Sequence, residues 1–138
     1  MRVLKLLPLL LLAACARPLP APNPQQAWVD LQSPAGSLLM AQRVDGATWP
    51  DGRYFELSPG PHELLARLSF ESNLGGQGID SEPIYMACMI SLRYADFSAG
   101  QRYLIKARPV QMRALAGLYD QQGNKLASGR ILRCGTTL

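Results

Sequence analysis

The sequence is poor in the side chains that perform most enzymatic chemistry. Its 138 residues include one histidine, His62, and three cysteines, Cys15, Cys88 and Cys134. Any Ser-His-Asp or Cys-His arrangement would have to use His62. That residue directly follows Ser58-Pro59-Gly60-Pro61, where turn geometry at the head of a strand already accounts for it. No G-x-S-x-G elbow supplies a nucleophile. One histidine and two distant cysteines do not make a zinc cluster, so no metal ligands are assigned. The loop carboxylates Asp45, Asp51, Asp80, Glu82 and Asp96 lack the D-x-D-x-D-G spacing of a calcium loop. Asp45-Gly46 and Asp51-Gly52 read instead as turn dipeptides. No pair of carboxylates stands out for glycoside cleavage, whose geometry is set by the fold rather than by spacing. The expectation is a protein with no catalytic residue and no cofactor.

Long apolar runs are also missing. The only candidate, Leu6–Ala14, falls well short of the roughly 20 residues a membrane-spanning helix needs. It follows Arg2 and Lys5, which form a short positive region, so the pattern is that of a secretory leader over residues 1–14. The leader ends on Leu12-Ala13-Ala14-Cys15. This string resembles the lipobox of bacterial lipoproteins, in which the cysteine thiol receives a diacylglyceryl group. The leader is then cut before the cysteine, and the new amine is commonly acylated. The resemblance implies lipidation at Cys15, and more than one acyl chain makes stable membrane anchoring. An ordinary leader with a chance cysteine is the alternative. Ala16, where inner-membrane members carry Asp, implies the outer membrane facing the periplasm, or the plasma membrane of a host that has no outer one.

Excess charge is small once the leader is set aside. Without Arg2 and Lys5 the basic count falls from 14 to 12 against 10 acids, a formal +2. The basic residues do not cluster along the chain, so nucleic acid is not an expected partner. Residues 15–26 hold prolines at 18, 20, 22 and 24. Such spacing predicts an extended tether that could hold the rest about 30 Å from a lipid surface. One compact domain is then expected over residues 27–138.

In that domain the apolar period is two, the mark of strands with one buried face. Leu64, Ala66, Leu68 and Phe70 share one side of His62–Glu71, while Phe55 and Leu57 alternate with Tyr54 and Glu56. The Pro-Gly between them predicts a β-hairpin with a type II turn. Ala27–Ser33, Ser37–Val44, Ile84–Tyr94, Arg102–Arg108, Arg113–Tyr119 and Lys125–Arg133 complete the set, with Ser72–Glu82 a mobile loop. A helical period competes only at Met112–Leu118. Seven or eight short strands with Gly/Pro turns predict an all-β, antiparallel β-sandwich of immunoglobulin-like type. The string Tyr54–Leu64 resembles the strand–Pro-Gly–strand hairpin of PEGA-type envelope domains. That resemblance implies attachment or interaction in the envelope and brings no catalytic residues.

Two cysteines in an exported domain are candidates for a disulfide. Pairing Cys88 with Cys134 would contribute about 4 kcal/mol by loop-closure entropy; two separate buried thiols are the alternative. The aromatics offer one lead. Trp28 falls on the polar face of a strand and Trp49 in the Asp45–Gly52 loop, so both are candidate contact residues. The plainer reading is that each covers an open edge of the sandwich. Together these features describe a lipid-anchored, non-enzymatic binding or assembly module whose partner is another envelope protein. A glycan- or peptidoglycan-binding module using the Trp49 loop is the alternative, with a hydrolase of unrecognisable motif behind it.

Overall fold

The computed structural model describes residues 17–73 and 82–138. The leader and Cys15 lie outside the described residues, as do residues 74–81 of the expected Ser72–Glu82 loop. All regular structure among the described residues is strand, and no helix there is long and apolar enough to cross a membrane. The strands are β1 (Ala27–Gln32), β2 (Ser37–Val44), β3 (Ala47–Thr48), β4 (Tyr54–Leu57) and β5 (Gly60–Ser72). They continue with β6 (Ile84–Phe97), β7 (Arg102–Val110), β8 (Arg113–Tyr119), β9 (Lys125–Ser128) and β10 (Arg130–Gly135). They form a β-sandwich of two five-stranded sheets. The first has the order β4-β1-β7-β8-β9 and the second β10-β6-β5-β2-β3.

The spine is the antiparallel β5–β6 pair, in register from His62↔Tyr94 to Ser72↔Ile84. Pleating sends alternate residues to opposite faces. Leu64, Ala66, Leu68 and Phe70 go inward as the period foretold, beside Met86, Cys88, Ile90 and Leu92. Val29, Phe55, Leu57, Tyr103, Ile105 and Leu118 meet them from the first sheet. Each fully buried leucine or isoleucine among these stabilises the fold by about 1.5–3 kcal/mol.

The structure corrects several expectations about which strand pairs with which. Phe55 and Leu57 do alternate inward, and Gly60 does take a positive φ of 112°. Yet β4 and β5 are not a hairpin: β4 pairs with β1 in one sheet and β5 with β2 and β6 in the other. The Pro-Gly turn is a step between layers, so the hairpin resemblance at Tyr54–Leu64 does not describe how this segment pairs. The sheets are not wholly antiparallel either, because β1 and β7 run parallel from Trp28↔Arg102 to Gln32↔Lys106. The turn after β6 returns to the entry of β1, with the Gly100 amide donating to the Gln26 carbonyl at 2.9 Å. Both strands therefore start from the same end.

Lys125–Arg133 divides at Gly129, which raises the strand count above the expected eight. A side chain there would place its Cβ 2.7 Å from the Ala116 Cβ and 3.0 Å from the Ile90 Cγ2. Only glycine lets the chain pass between the layers and rejoin the second sheet as β10. The β8–β9 hairpin around Asp120–Asn124 forms as expected, with Tyr119 opposite Lys125.

Cys88 and Cys134 stand opposite each other on β6 and β10, their Cα atoms 4.1 Å apart, and are joined by a disulfide. The bond staples an edge strand within one sheet rather than bridging the core. In the proline-rich segment, Arg17 and Asn23 touch the folded part. The Arg53 guanidinium is gripped by Asp51 through Nε at 2.9 Å and an amine at 2.7 Å, and its other amine donates to the Arg17 carbonyl at 2.8 Å. The Asn23 amide reaches Glu56 at 3.4 Å. From Arg17 onward the segment runs beside β4, tied at these two side chains.

Reducing the disulfide should cost about 2–4 kcal/mol and lower the melting temperature by several degrees. Thermal unfolding with and without reductant reads this directly. Alkylation of both thiols in the folded, unreduced protein would show that the bond is absent. Arg53→Ala should release the Arg17 end of the proline-rich segment from β4, seen as faster amide exchange over residues 17–26 with the spine unchanged.

Candidate functional site

Three places combine polar or apolar groups in ways a plain core does not require. The first gathers both sequence-predicted contact residues, Trp28 and Trp49, around Tyr54. Trp28 points to the outer face of the first sheet, as its place in the period required, but it is only 3% exposed. Tyr54 stacks on it at 4.2 Å with the planes 6° apart, and the Arg102 guanidinium lies 5.7 Å from the ring centre. Its Nε1 donates to Asp30 at 2.9 Å, and Asp30 also accepts from Arg102 at 2.6 and 3.1 Å. Burial alone would raise the Asp30 pKa, but hydrogen bonds from Arg102 and Trp28 outweigh it and hold the carboxyl below its ordinary value. The expectation of an exposed Trp28 is therefore corrected, because neighbours on β4 and β7 close over it.

Trp49 is half-buried and meets Tyr54 edge-on, with ring centres 5.9 Å apart. Its Nε1 donates to the Tyr54 carbonyl at 2.6 Å. Both indoles thus have a packed face and a satisfied N–H. Trp28 lies on the face of the first sheet at β1, and Trp49 against Tyr54 of the outer strand β4.

The second place is His62. Its ring is far more covered than a turn-flanking surface residue, with 12% of the side chain exposed. The fold brings Asp45 and Ser58 to it, a Ser-His-Asp grouping that linear spacing could not display. Nδ1 lies 2.6 Å from the Asp45 carboxylate. Nε2 lies 2.7 Å from the Ser58 carbonyl and 3.2 Å from the Ser58 hydroxyl. A general base needs a free lone pair aimed at the hydroxyl. Here the nearer neighbour of Nε2 is a carbonyl, which only accepts, so this nitrogen is suited to donating.

The cluster consequently ties the Asp45 turn to the step between β4 and β5. Asp45 adopts φ +50° and its other oxygen accepts from the Glu63 amide at 2.8 Å. That amide bond, followed by the one from His62, pulls the Asp45 pKa down.

The third place was missed by sequence reasoning: the outer face of the second sheet. Leu38 and Met40 on β2 and Tyr85 on β6 are exposed there, at 57%, 39% and 70%. Leu132 on β10 is exposed at a bulge opposite Met89 and Ile90. Arg67 lies between Met40 and Met89 in register, and its buried Nε has no hydrogen-bond partner among the described residues. Nearby, Glu63 is already engaged by Arg93 at 2.9 Å and by Ser91 at 3.1 Å. The signal available in the sequence was Leu65, the one misfit in the β5 alternation, together with Leu38 and Met40 on β2.

Among the described residues no three His, Cys, Asp or Glu side chains gather as a metal site. No family model, no curated protein and no solved structure matches the chain.

Asp45→Asn should weaken the fold by about 1 kcal/mol at neutral pH, a modest value because the carboxylate is half-exposed. The folded pKa is depressed, so the stabilisation is present above the unfolded carboxylate value. It should shrink as pH falls below about 4. Urea midpoints of the two proteins should accordingly converge in acid; a constant gap across pH would exclude the ionic role.

Proposed function

We propose that the protein is a lipid-anchored, non-enzymatic module of the bacterial envelope that docks another envelope protein on the outer face of its second sheet. The anchor rests on Leu12-Ala13-Ala14-Cys15 and its resemblance to a lipobox. An immunoglobulin-like frame is the finer form of the sandwich proposed for it. The observation that carries the docking reading is the Arg67 Nε, buried without a partner among the described residues, beside exposed Met40 and with Leu38 one pleat farther along β2. An unsatisfied buried donor costs about 1–3 kcal/mol, and a protein rarely keeps one on an apolar face unless something else supplies the acceptor. The fitting partner brings apolar side chains and a carboxylate or carbonyl oxygen for Arg67. The commitment of Nε2 of His62 to a carbonyl supports the non-enzymatic part. The glycan alternative loses its main lead, since Trp49 is packed against Tyr54.

Two measurements test the parts separately. Cys15→Ser should leave the precursor uncut, while mass spectrometry of the natural protein should find an N-terminal cysteine carrying acyl chains. An unmodified N-terminus at another residue would defeat the anchor. A photo-cross-linker at position 38 should yield one discrete protein adduct in cells, and the same group at position 115 should not. Arg67→Met should leave the free protein as stable or more so, yet weaken that adduct about tenfold. Equal cross-linking from both positions would remove the docking face.

A further inference from the structure

The first sheet ends in a turn that its sequence does little to favour. β7 and β8 pair back to back from Leu104↔Tyr119 to Val110↔Arg113, leaving Gln111 and Met112 as the two-residue connection. Two-residue hairpins favour Asn-Gly or Asp-Gly, because at least one residue must take positive φ. Here Gln111 takes φ +55°, an uncommon conformation for a residue of that kind. The effect is to hold apolar side chains at the tip: Val110, Met112 and Leu115 are all exposed. Arg108 and Arg113 stand on the same outward face, and neither side chain has an ion pair or hydrogen bond among the described residues. Exposed apolar groups interleaved with unpaired cations form the composition of a surface that enters the headgroup layer of an anionic bilayer.

The direction of the N-terminal segment points the same way. β4 is antiparallel to β1 with Tyr54 opposite Asp30, and β1 is parallel to β7. Arg53 therefore lies beyond Tyr54 toward the end of the sheet at which β7 enters its turn. The Arg17 carbonyl is held there by Arg53, whereas Asn23 is held farther back at Glu56. Followed back from Asn23 to Arg17, the described segment thus runs toward the β7–β8 end. Cys15 is only two residues before Arg17, a reach of about 7 Å.

We infer that the β7–β8 tip, with Val110, Met112 and Leu115 between Arg108 and Arg113, rests in the headgroup layer of an anionic bilayer beside the lipid anchor. The inference rests on the lipid-anchor reading for where the chain is tethered. It sets the docking face of the second sheet away from the bilayer, free for a partner.

The test uses the full chain, purified with its lipid and inserted into vesicles. Met112→Cys and Gln122→Cys each carry an environment-sensitive fluorophore; position 122 lies at the opposite end of β8. The vesicles are phosphatidylcholine, alone or with about a third phosphatidylglycerol. On the anionic vesicles the label at 112 should shift to the blue, and a lipid-borne quencher should act on it at least about threefold more strongly than on the label at 122. Arg108→Glu with Arg113→Glu should abolish the difference, as should about 1 M salt in large part. Equal quenching at both positions on protein that floats with its vesicles would overturn the tip. Protein that fails to float with either vesicle would instead overturn the anchor, so the two failures are distinct.

Discussion

Everything in this fold depends on the pleat of the β5–β6 pair. Thirteen residues on one strand and fourteen on the other, held in register, dictate which side chains can enter the space between the sheets. Leu64, Leu68, Ile90 and Leu92 fill that space and leave no room for alternatives. The opposite set must then stand outside, whatever its polarity. Leu65, Arg67 and Met89 are outside for that reason, and so the core and the proposed docking face are two results of one register. A shift by one residue would exchange them.

Edges are the second constraint. A short sandwich exposes unpaired backbone wherever a sheet stops. β10 is fastened to β6 by the disulfide, and the segment from Arg17 to Gln26 runs beside β4, held at Arg53 and Glu56. The first device uses a covalent bond to keep a short outer strand in place, and the second uses proline, which offers no N–H to propagate pairing. The sheet faces and the turns carry the other polar irregularities, the Arg67 Nε without a partner among the described residues and the positive φ of Gln111.

Much of this was legible in the chain. Strand positions followed from the period of two, because one buried face forces it. The Cys88–Cys134 pair was a candidate from composition and the export expected of the chain. Pairing partners were not legible, for a physical reason: alternation states which face of a strand is buried, not which strand lies beside it. Ser58–Pro61 illustrates this, since a positive φ at Gly60 serves a hairpin and a step between layers equally well. Lys125–Arg133 read as one strand because the close approach at Gly129 involves Ala116 and Ile90, neither near in sequence. The site suffered most. Trp28 read as exposed because the covering groups come from other strands, and Asp45 joined His62 only through the fold. Arg67 looked like an ordinary outward charge until Met40 and Met89 were found on either side.

The meeting of both tryptophans on Tyr54 has an optical consequence. The chain has two tryptophans, and both lie within a few ångströms of a single phenol at the corner formed by β1, β4 and the Asp45–Gly52 loop. Its near-ultraviolet emission is therefore a local signal, sensitive to the stacking of one ring pair and to the guanidinium above it. Events at the β7–β8 turn or on the far sheet leave that light nearly unchanged. An unfolding curve recorded by indole fluorescence reports when this corner opens, and agrees with a backbone signal such as far-ultraviolet dichroism only if the two sheets part together.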